Sequence, residues 1–358
     1  MKKKLFVHKH CFHLLILFSL YFITSSITTH LYLEKFGKDI SISTTEIMHN
    51  EANRPFAYRI LIPHTLEYLE GKIPERAKQK IVYKSNGEKR DIDSIERYNW
   101  QEHSTILFVV CYLFIVACLV ILQFLWRYLL QKTIQLNNAS YDSAPAIAIL
   151  LLPMTFVKGA YIYDFPELIF ATLCLIFFLK KQWIGYYITF FCACINKETG
   201  VLLGAWFLPL LFNKEFTLFF KHAFFHCLLG LPTILLIRYQ MNHLPGDIVQ
   251  FNFYKNIEFW TSAKPWIHFE DVYAFNLPTP RVFNIINLAL LVYPLSLYWN
   301  TLNKNIKQTF AYSAISMFPL YMLFGLEDEI RVFMIVFPSL FILYTQSLSL
   351  YYSSLKSE

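Results

Sequence analysis

The chain has 358 residues, of which 56% are hydrophobic and 18% aromatic, and only 16% are charged. A soluble domain carries about 25% charged residues, so this composition argues against a soluble protein and favours one embedded in a membrane. The net charge of +7 comes from cations between apolar runs, which indicates membrane topology and not nucleic-acid binding. All seven cysteines lie within or beside apolar segments, which predicts buried thiols and no disulfide framework.

The apolar segments predict an all-α polytopic membrane protein that forms a single transmembrane domain over residues 1–358. A membrane helix needs roughly 20 apolar residues, and about ten segments have this character. They lie near residues 11–33, 104–130, 143–160, 165–180, 182–195, 199–212, 216–238, 282–301, 307–325 and 331–352. The first follows three lysines and lacks a clear cleavage site, which predicts a retained signal anchor. The fifth and sixth are short and either span fully or form a re-entrant pair, so we expect about eight to ten membrane helices.

The distribution of cations predicts the orientation of these helices, because short cytoplasmic loops are rich in Lys and Arg. If the N-terminus is cytoplasmic, every short inner loop is basic: Arg127 and Lys132, Lys180 and Lys181, Lys214 and Lys221, and Lys304 and Lys307. Both termini are then cytoplasmic. The outer side receives two long loops, residues 34–103 and 239–281.

The first outer loop contains an amphipathic stretch from Arg54 to Glu70, which predicts a helix lying in the membrane interface. Pro55 suits a first helical turn, and Pro63 predicts a kink or restart. Residues 72–97 mix both charge signs and predict a solvated excursion. The second outer loop is rich in aromatic residues and proline, and we expect it to be ordered and able to cover a site.

Charged motifs interrupt the apolar segments on the predicted outer side. Asp164 and Glu167 are three residues apart and share a face if a helix begins there. They either form a helix cap or orient a basic partner or substrate hydroxyl. Lys197 and Glu198, in the motif 196–199, form either a polar turn or part of a cavity where Lys197 binds a phosphate.

Two further charged motifs lie on the same predicted side. Arg54, Tyr58 and Arg59 precede the interfacial segment, where arginines either contact a phosphate or anchor to headgroups. Glu329 and Arg331 begin the last helix, where the helix dipole favours carboxylates. Arg331 either extends its charged end to the membrane interface or reaches a lipid phosphate. The pair His222 and His226 lacks neighbouring carboxylates, and no nucleotide-binding or hydrolase motif is present. The sequence therefore indicates no cofactor, and it leaves a divalent metal as an open alternative.

The chain resembles bacterial multi-pass proteins of the GT-C glycosyltransferase class over most of its length. Four motifs carry the resemblance: Arg54-Pro-Phe-Ala-Tyr-Arg59, Tyr163-Asp-Phe-Pro-Glu167, Asn196-Lys-Glu-Thr199, and Glu329-Ile-Arg-Val-Phe333 followed by Pro338. Members of this class pass a sugar from a polyprenyl-phosphate carrier to a lipid, glycan or protein at the outer face. The resemblance implies a GT-C-like fold, the inner membrane of a bacterium and membrane lipids as partners.

The resemblance also implies roles for the charged residues. Inverting transfer needs a carboxylate to deprotonate the acceptor hydroxyl and cations on the departing phosphate. The class usually has a paired acidic motif in the first outer loop, where this chain has separate acids. We therefore expect Glu51 to be the base, with Glu46 as the second choice. The expected phosphate or carrier ligands are Arg54, Arg59, Lys197 and Arg331, and the expected positioning residues are Tyr58, Asp164, Glu167, Glu198 and Glu329.

Two other functions remain open from the sequence. A transporter or lipid flippase would line its pathway with the same charges and use the short fifth and sixth segments as broken helices. The clustering of charges on one predicted side, and the lack of an inverted repeat, favour transfer over transport. A non-catalytic membrane partner in envelope assembly is the third alternative.

Overall fold

A computed structural model describes residues 2–80, 100, 105–156, 161–247, 249–271, 277–281 and 283–356, with side chains from Phe12 onward. The described residues are almost entirely helical, which confirms the all-α prediction. Strands β1 (Phe269–Glu270) and β2 (Thr279–Pro280) form a short antiparallel pair in which Phe269 lies opposite Pro280.

The α-helices are bounded as follows: α1 Lys2–Met48, α2 Leu61–Lys72, α3 Thr105–Thr133, α4 Asn138–Leu151, α5 Asp164–Leu179, α6 Trp183–Asn196, α7 Leu208–Phe212, α8 Phe216–Gln240, α9 Phe253–Thr261, α10 Lys264–Ile267, α11 Ile285–Tyr298, α12 Lys304–Phe324 and α13 Phe337–Leu355. Segments of 3-10 helix cover Phe56–Tyr58, Leu152–Thr155, Glu198–Phe207, Trp299–Thr301 and Ile330–Ile335. Helix α5 lies at the centre and packs against α3, α6 and the segment Ile330–Ile335.

Three helices in the described part of the chain are long and apolar enough to cross a membrane: α1 from Phe12 onward, α3 and α8. Other apolar helices are shorter. Helix α6, for example, has 14 residues and is about 21 Å long, whereas a hydrocarbon core is about 30 Å thick. The apolar helices mark the chain as a membrane protein, and the expected count of about eight to ten spans stays a prediction.

The segments predicted to lie outside meet at one end of the helix bundle, which we call the charged end. There Arg54 Nη2 donates to Gly246 O at 2.7 Å, Arg59 pairs with Glu198, and Arg281 pairs with Asp328. Two loops predicted to lie inside meet away from it, where Lys180 Nζ lies 4.7 Å from the Tyr128 ring. The alternation predicted from the lysines therefore agrees with which loops touch.

Helix α1 is longer than the apolar run at 11–33 and continues to Met48. Its extension is amphipathic, because Phe36, Ile40 and Ile47 are buried on one face while polar residues occupy the other. The predicted loop 34–103 thus begins as a helix. The amphipathic stretch 54–70 forms a 3-10 turn and then α2, with Pro63 in the first turn, where its missing N–H is tolerated. Residues 81–97 of the predicted solvated excursion lie outside the described residues.

Helix α6 and the segment that follows it form an antiparallel hairpin. The Phe207 ring lies 5.7 Å from the Trp183 ring, so the return segment reaches the level at which α6 begins. The 3-10 helix Glu198–Phe207 has ten residues, whereas such helices rarely exceed three or four. A Cβ on Gly200 would lie 2.6 Å from the carbonyl carbon of Ala193, so only glycine permits this close approach.

Candidate functional site

A buried chain of ion pairs lies at the charged end. Lys197 Nζ donates to Glu167 Oε2 at 2.7 Å and to Asp164 Oδ1 at 3.3 Å. Arg331 donates to Asp164 Oδ2 at 3.1 Å and also to Glu329. Asp164 is fully buried, and Lys197 and Arg331 are only 4% and 3% exposed. Because a buried charge is stable only when it is paired, these residues must fold as one unit.

The local structure brings these side chains together. Helix α5 begins at Asp164, which places Glu167 one turn further along, and α6 ends at Asn196, which leaves Lys197 in extended backbone. Asn196 Nδ2 donates to Tyr163 O at 3.0 Å and ties the two helix ends together. Neither carboxylate caps α5: Glu167 instead accepts from Lys197 and from the Thr199 hydroxyl. The capping alternative for the pair is therefore wrong.

Arg59 joins this assembly from the turn before α2. Its Nη2 donates to Glu198 Oε1 at 3.2 Å, and its Nη1 contacts the Tyr163 hydroxyl. Burial opposes the charge of Arg59, but Tyr163 and Glu198 outweigh burial and raise its pKa well above the usual value. Burial likewise opposes the charge of Glu198, yet Arg59 lowers the pKa of this carboxyl below its usual value. The pair therefore stays ionised at neutral pH.

The charged cluster is the set of residues joined by these contacts: Arg59, Asp164, Glu167, Lys197, Glu198, Glu329 and Arg331. It contains three cations and four carboxylates. Burial opposes the charge of Lys197, but Glu167 and Asp164 outweigh it and raise the pKa of this ammonium. The structure thus brings together most of the residues that the sequence assigned to phosphate binding and positioning.

Two tyrosines that the sequence analysis did not assign complete the cluster. The rings of Tyr161 and Tyr163 stack at 5.1 Å with an interplanar angle of 5°. The Arg331 guanidinium lies 4.4 Å from the Tyr161 ring, and that of Arg59 lies 4.7 Å from the Tyr163 ring. The only sequence signal for this role was the pattern Tyr161-Ile162-Tyr163 directly before Asp164.

A cavity of about 450 Å³ lies beside the cluster at the charged end. One face of α1 lines it with Asp39 and Glu46, and the second long loop lines it with Asp247. Tyr161 and Phe56, whose rings lie 5.1 Å apart, form another part of the wall. Tyr161 thus both lines the cavity and contacts a cation of the cluster, since its ring lies 4.4 Å from the Arg331 guanidinium. Asp247 lies in the second long loop, which the sequence predicted to cover a site but in which it assigned no site residue.

The two candidate bases lie in different surroundings. Glu46 lines the cavity, whereas Glu51 is exposed in the turn after α1 and is not among the lining residues. A base must come within hydrogen-bond reach of its proton, and this requirement favours Glu46.

Arg54 lies at the cavity but outside the charged cluster. Its guanidinium donates to Asn242 Oδ1 at 3.3 Å and to Gly246 O at 2.7 Å, and its backbone N–H donates to Pro245 O at 2.8 Å. Gly246 has φ of +96°, and a Cβ there would lie 2.8 Å from Arg54 O. Arg54 therefore holds the second long loop against the first.

Tyr58, unlike Arg54, is not among the residues that line the cavity. It is buried, and the Arg238 guanidinium lies 5.7 Å from its ring in a separate narrow groove.

The described residues include no group of three or more His, Cys, Asp or Glu side chains placed to hold a metal ion. His222 Nδ1 lies 2.7 Å from the Tyr187 hydroxyl, and His226 Nε2 lies 3.1 Å from the Tyr186 hydroxyl. Given these hydrogen bonds, we interpret the two histidines as packing residues within a group of aromatic rings.

Comparison of the chain with protein-family models, curated proteins and solved structures gave no match. The resemblance to the GT-C class therefore rests on the four sequence motifs alone.

Proposed function

We propose that this protein is a membrane glycosyltransferase that moves a sugar from a polyprenyl-phosphate carrier to an envelope lipid, glycan or protein. The observation that carries the proposal is the position of Tyr161 between a carboxylate-lined cavity and the buried cation Arg331. Transfer from a phosphate carrier needs a base and a cation on opposite sides of the same sugar. We infer that Glu46 in the cavity and the arginines of the charged cluster provide these two groups.

Glu46 is the preferred base in this proposal. It deprotonates the acceptor hydroxyl as that oxygen attacks the sugar, and the bond to the carrier phosphate breaks with inversion. The exposed Glu51 becomes the second choice, which reverses the order that the sequence suggested.

Arg59 and Arg331 are the preferred phosphate ligands. A guanidinium binds phosphate through two parallel hydrogen bonds, and fixed cations stabilise the negative charge that develops on the leaving group. Both side chains reach aromatic residues of the cavity wall, since Arg59 lies 5.1 Å from the Phe56 ring. The only ring near Lys197 in the described structure is that of Tyr163, which does not line the cavity, so Lys197 is assigned to holding Asp164 and Glu167 in place. Arg54 holds the loop that carries Asp247.

The proposed setting is the inner membrane of a bacterium, with the charged end outside and both termini in the cytoplasm. Its support is that the lysine-bearing loops lie away from the charged end, as expected when positive loops stay inside. About eight to ten helices would then cross the membrane in a GT-C-like arrangement.

The direct test uses the full chain in detergent, polyprenyl-phosphate sugars with a radiolabelled sugar, and crude envelope acceptors. We expect sugar transfer with release of the carrier phosphate, lost in Glu46→Gln and retained in the matched variant Glu51→Gln. Loss in Glu51→Gln alone would move the base to that residue. No release from folded protein with any donor would refute the transferase.

Transport is the second candidate, and the break at 196–198 favours it. A helix end followed by a ten-residue 3-10 segment is similar to the broken helices that line transporter sites. Cysteines introduced at cavity positions and probed with impermeant thiol reagents separate the two functions. Labelling from both sides of the membrane favours transport, and labelling from one side favours transfer.

A further inference from the structure

The ends of α3 and α5 meet at the end of the bundle opposite the charged end. Helix α5 has 16 residues and is about 24 Å long, with Asp164 at its start and Lys180 directly after its end. Lys132 lies in the last turn of α3. The two lysines are therefore distant from the charged cluster and belong to no part of the proposed transfer site.

Both lysines approach the same aromatic ring. Lys180 Nζ lies 4.7 Å from the centre of the Tyr128 ring, and Lys132 Nζ lies 5.8 Å from it. The dipole of each helix favours a cation at its C-terminal end, but this effect accounts for each lysine singly and not for their convergence. Like charges that meet at one ring repel each other, and an anion bound to both would remove this repulsion.

The two lysines have no acid partner in the described part of the chain. Arg127 shows the contrast, because its Nε donates to Asp142 Oδ1 at 2.6 Å and its charge is neutralised. Lys132 and Lys180 are exposed, and the Tyr128 hydroxyl between them has no hydrogen-bond partner among the described residues. Two ammonium groups and a phenol O–H are therefore free to donate to one acceptor.

An exposed apolar stripe on α3 leads to these donors. Leu113 and Ile121 are 57% and 49% exposed, and Ala117 between them is also exposed. Residues four apart share a helix face, and Tyr128 continues this face seven residues after Ile121. Helix α3 is long and apolar enough to cross a membrane. An acyl chain lying on the stripe would therefore bring its headgroup to Tyr128.

We propose that Lys132, Lys180 and Tyr128 bind the phosphate of an anionic membrane phospholipid such as phosphatidylglycerol. The two ammonium groups and the phenol O–H donate to the phosphate oxygens, and an acyl chain covers the stripe on α3. Clustered lysines at the membrane end of a helix attract anionic headgroups. Phosphatidylcholine carries the same phosphate, but the two lysines repel its trimethylammonium group. The site needs neither a sugar donor nor an acceptor, so it does not depend on the proposed transfer reaction.

The experiment measures thermal unfolding of the delipidated full chain in detergent, titrated with phosphatidylglycerol or with phosphatidylcholine of the same acyl chains. We expect a saturable rise in Tm with phosphatidylglycerol and an apparent affinity at least about tenfold weaker in Lys132→Gln/Lys180→Gln. The matched control is Lys221→Gln/Lys304→Gln, which removes two exposed lysines near other short basic loops. This control should bind phosphatidylglycerol like the wild type.

Four results would overturn the proposal. They are the lack of a saturable rise in the wild type, equal losses of affinity in the two double variants, equal affinity for phosphatidylcholine, and an equal rise with inorganic phosphate alone. If Lys132→Gln/Lys180→Gln does not fold, the single variants of Lys180 test the same point. Lys180→Gln should bind phosphatidylglycerol at least about threefold more weakly, whereas Lys180→Arg keeps the charge and should bind like the wild type. An unchanged affinity in Lys180→Gln would contradict the assignment.

Discussion

Arg331 lies with its guanidinium 4.4 Å from the ring of Tyr161, and this contact joins the two halves of the site. On one side the ring borders the cavity, and on the other Arg331 is anchored by Asp164 and Glu329. A cation held between a ring and two carboxylates has little freedom to move. The site therefore depends on the buried ion pairs for its shape.

The first prediction concerns the pair formed by Asp164 and Arg331. Arg331→Gln should lower the free energy of unfolding by about 3–5 kcal/mol, because the buried Asp164 loses one of its two cationic partners and Glu329 loses its arginine. The double variant with Asp164→Asn should recover part of this loss, and chemical denaturation in detergent measures both. Additive effects of the two changes would show that the residues are not coupled.

The second prediction concerns Tyr161. Tyr161→Leu should lower kcat/KM for sugar transfer about tenfold, since it removes a cation–π contact worth about 0.5–2 kcal/mol from a proposed phosphate ligand. Tyr161→Phe keeps the ring and should retain activity within about threefold of the wild type on the same grounds. Equal losses in the two variants would point to the hydroxyl and away from the ring.

The third prediction uses the close contact at Gly200. Gly200→Ala should destabilise the protein by about 1–3 kcal/mol, because the new methyl group overlaps the backbone of Ala193. Gly71 in α2 provides the matched control, since nothing lies within 4 Å of a Cβ built there. Gly71→Ala should be neutral or stabilising by up to about 1 kcal/mol. A similar Tm change in both variants would contradict the predicted clash.

The fourth prediction concerns the acid stability of the pair Glu198 and Arg59. The pKa of Glu198 is lowered in the folded protein from its usual 4.5. A lowered pKa stabilises the fold above the usual value, and this contribution is lost as pH falls through the folded-state pKa. The stability difference between the wild type and Glu198→Gln should thus stay constant from neutral pH to about 5 and then shrink. A difference that is unchanged at pH 3 would argue against an ionised Glu198.

The sequence predicted the charged end better than it predicted the roles within it. Charges that interrupt apolar segments are costly unless they face protein or water, and this argument was sufficient to select Asp164, Glu167, Lys197 and Glu198. The length of helix α1 was underestimated from the sequence, because packing of one face, and not overall hydropathy, stabilises the extension beyond residue 33.

Pairings between distant segments were beyond the reach of sequence reasoning. Arg54 was assigned to a phosphate because arginine suits one, but its partner Gly246 lies 192 positions later. Tyr161 and Tyr163 received no role from the sequence, and the structure places their stacked rings between two arginines. No periodicity within a segment reports such contacts, since they arise only when the helix ends converge.

The last prediction tests the revised role of Arg54. If Arg54 holds the second long loop, Arg54→Gln should raise amide hydrogen exchange in residues 242–247, because the contacts to Asn242 and Gly246 are lost. Exchange should stay unchanged in α5, which Arg54 does not contact in the described structure. Arg76→Gln, at an exposed position in the same loop, controls for the loss of one positive charge. Unchanged exchange in Arg54→Gln, together with weaker binding of polyprenyl phosphate, would instead return Arg54 to the phosphate role that the sequence suggested.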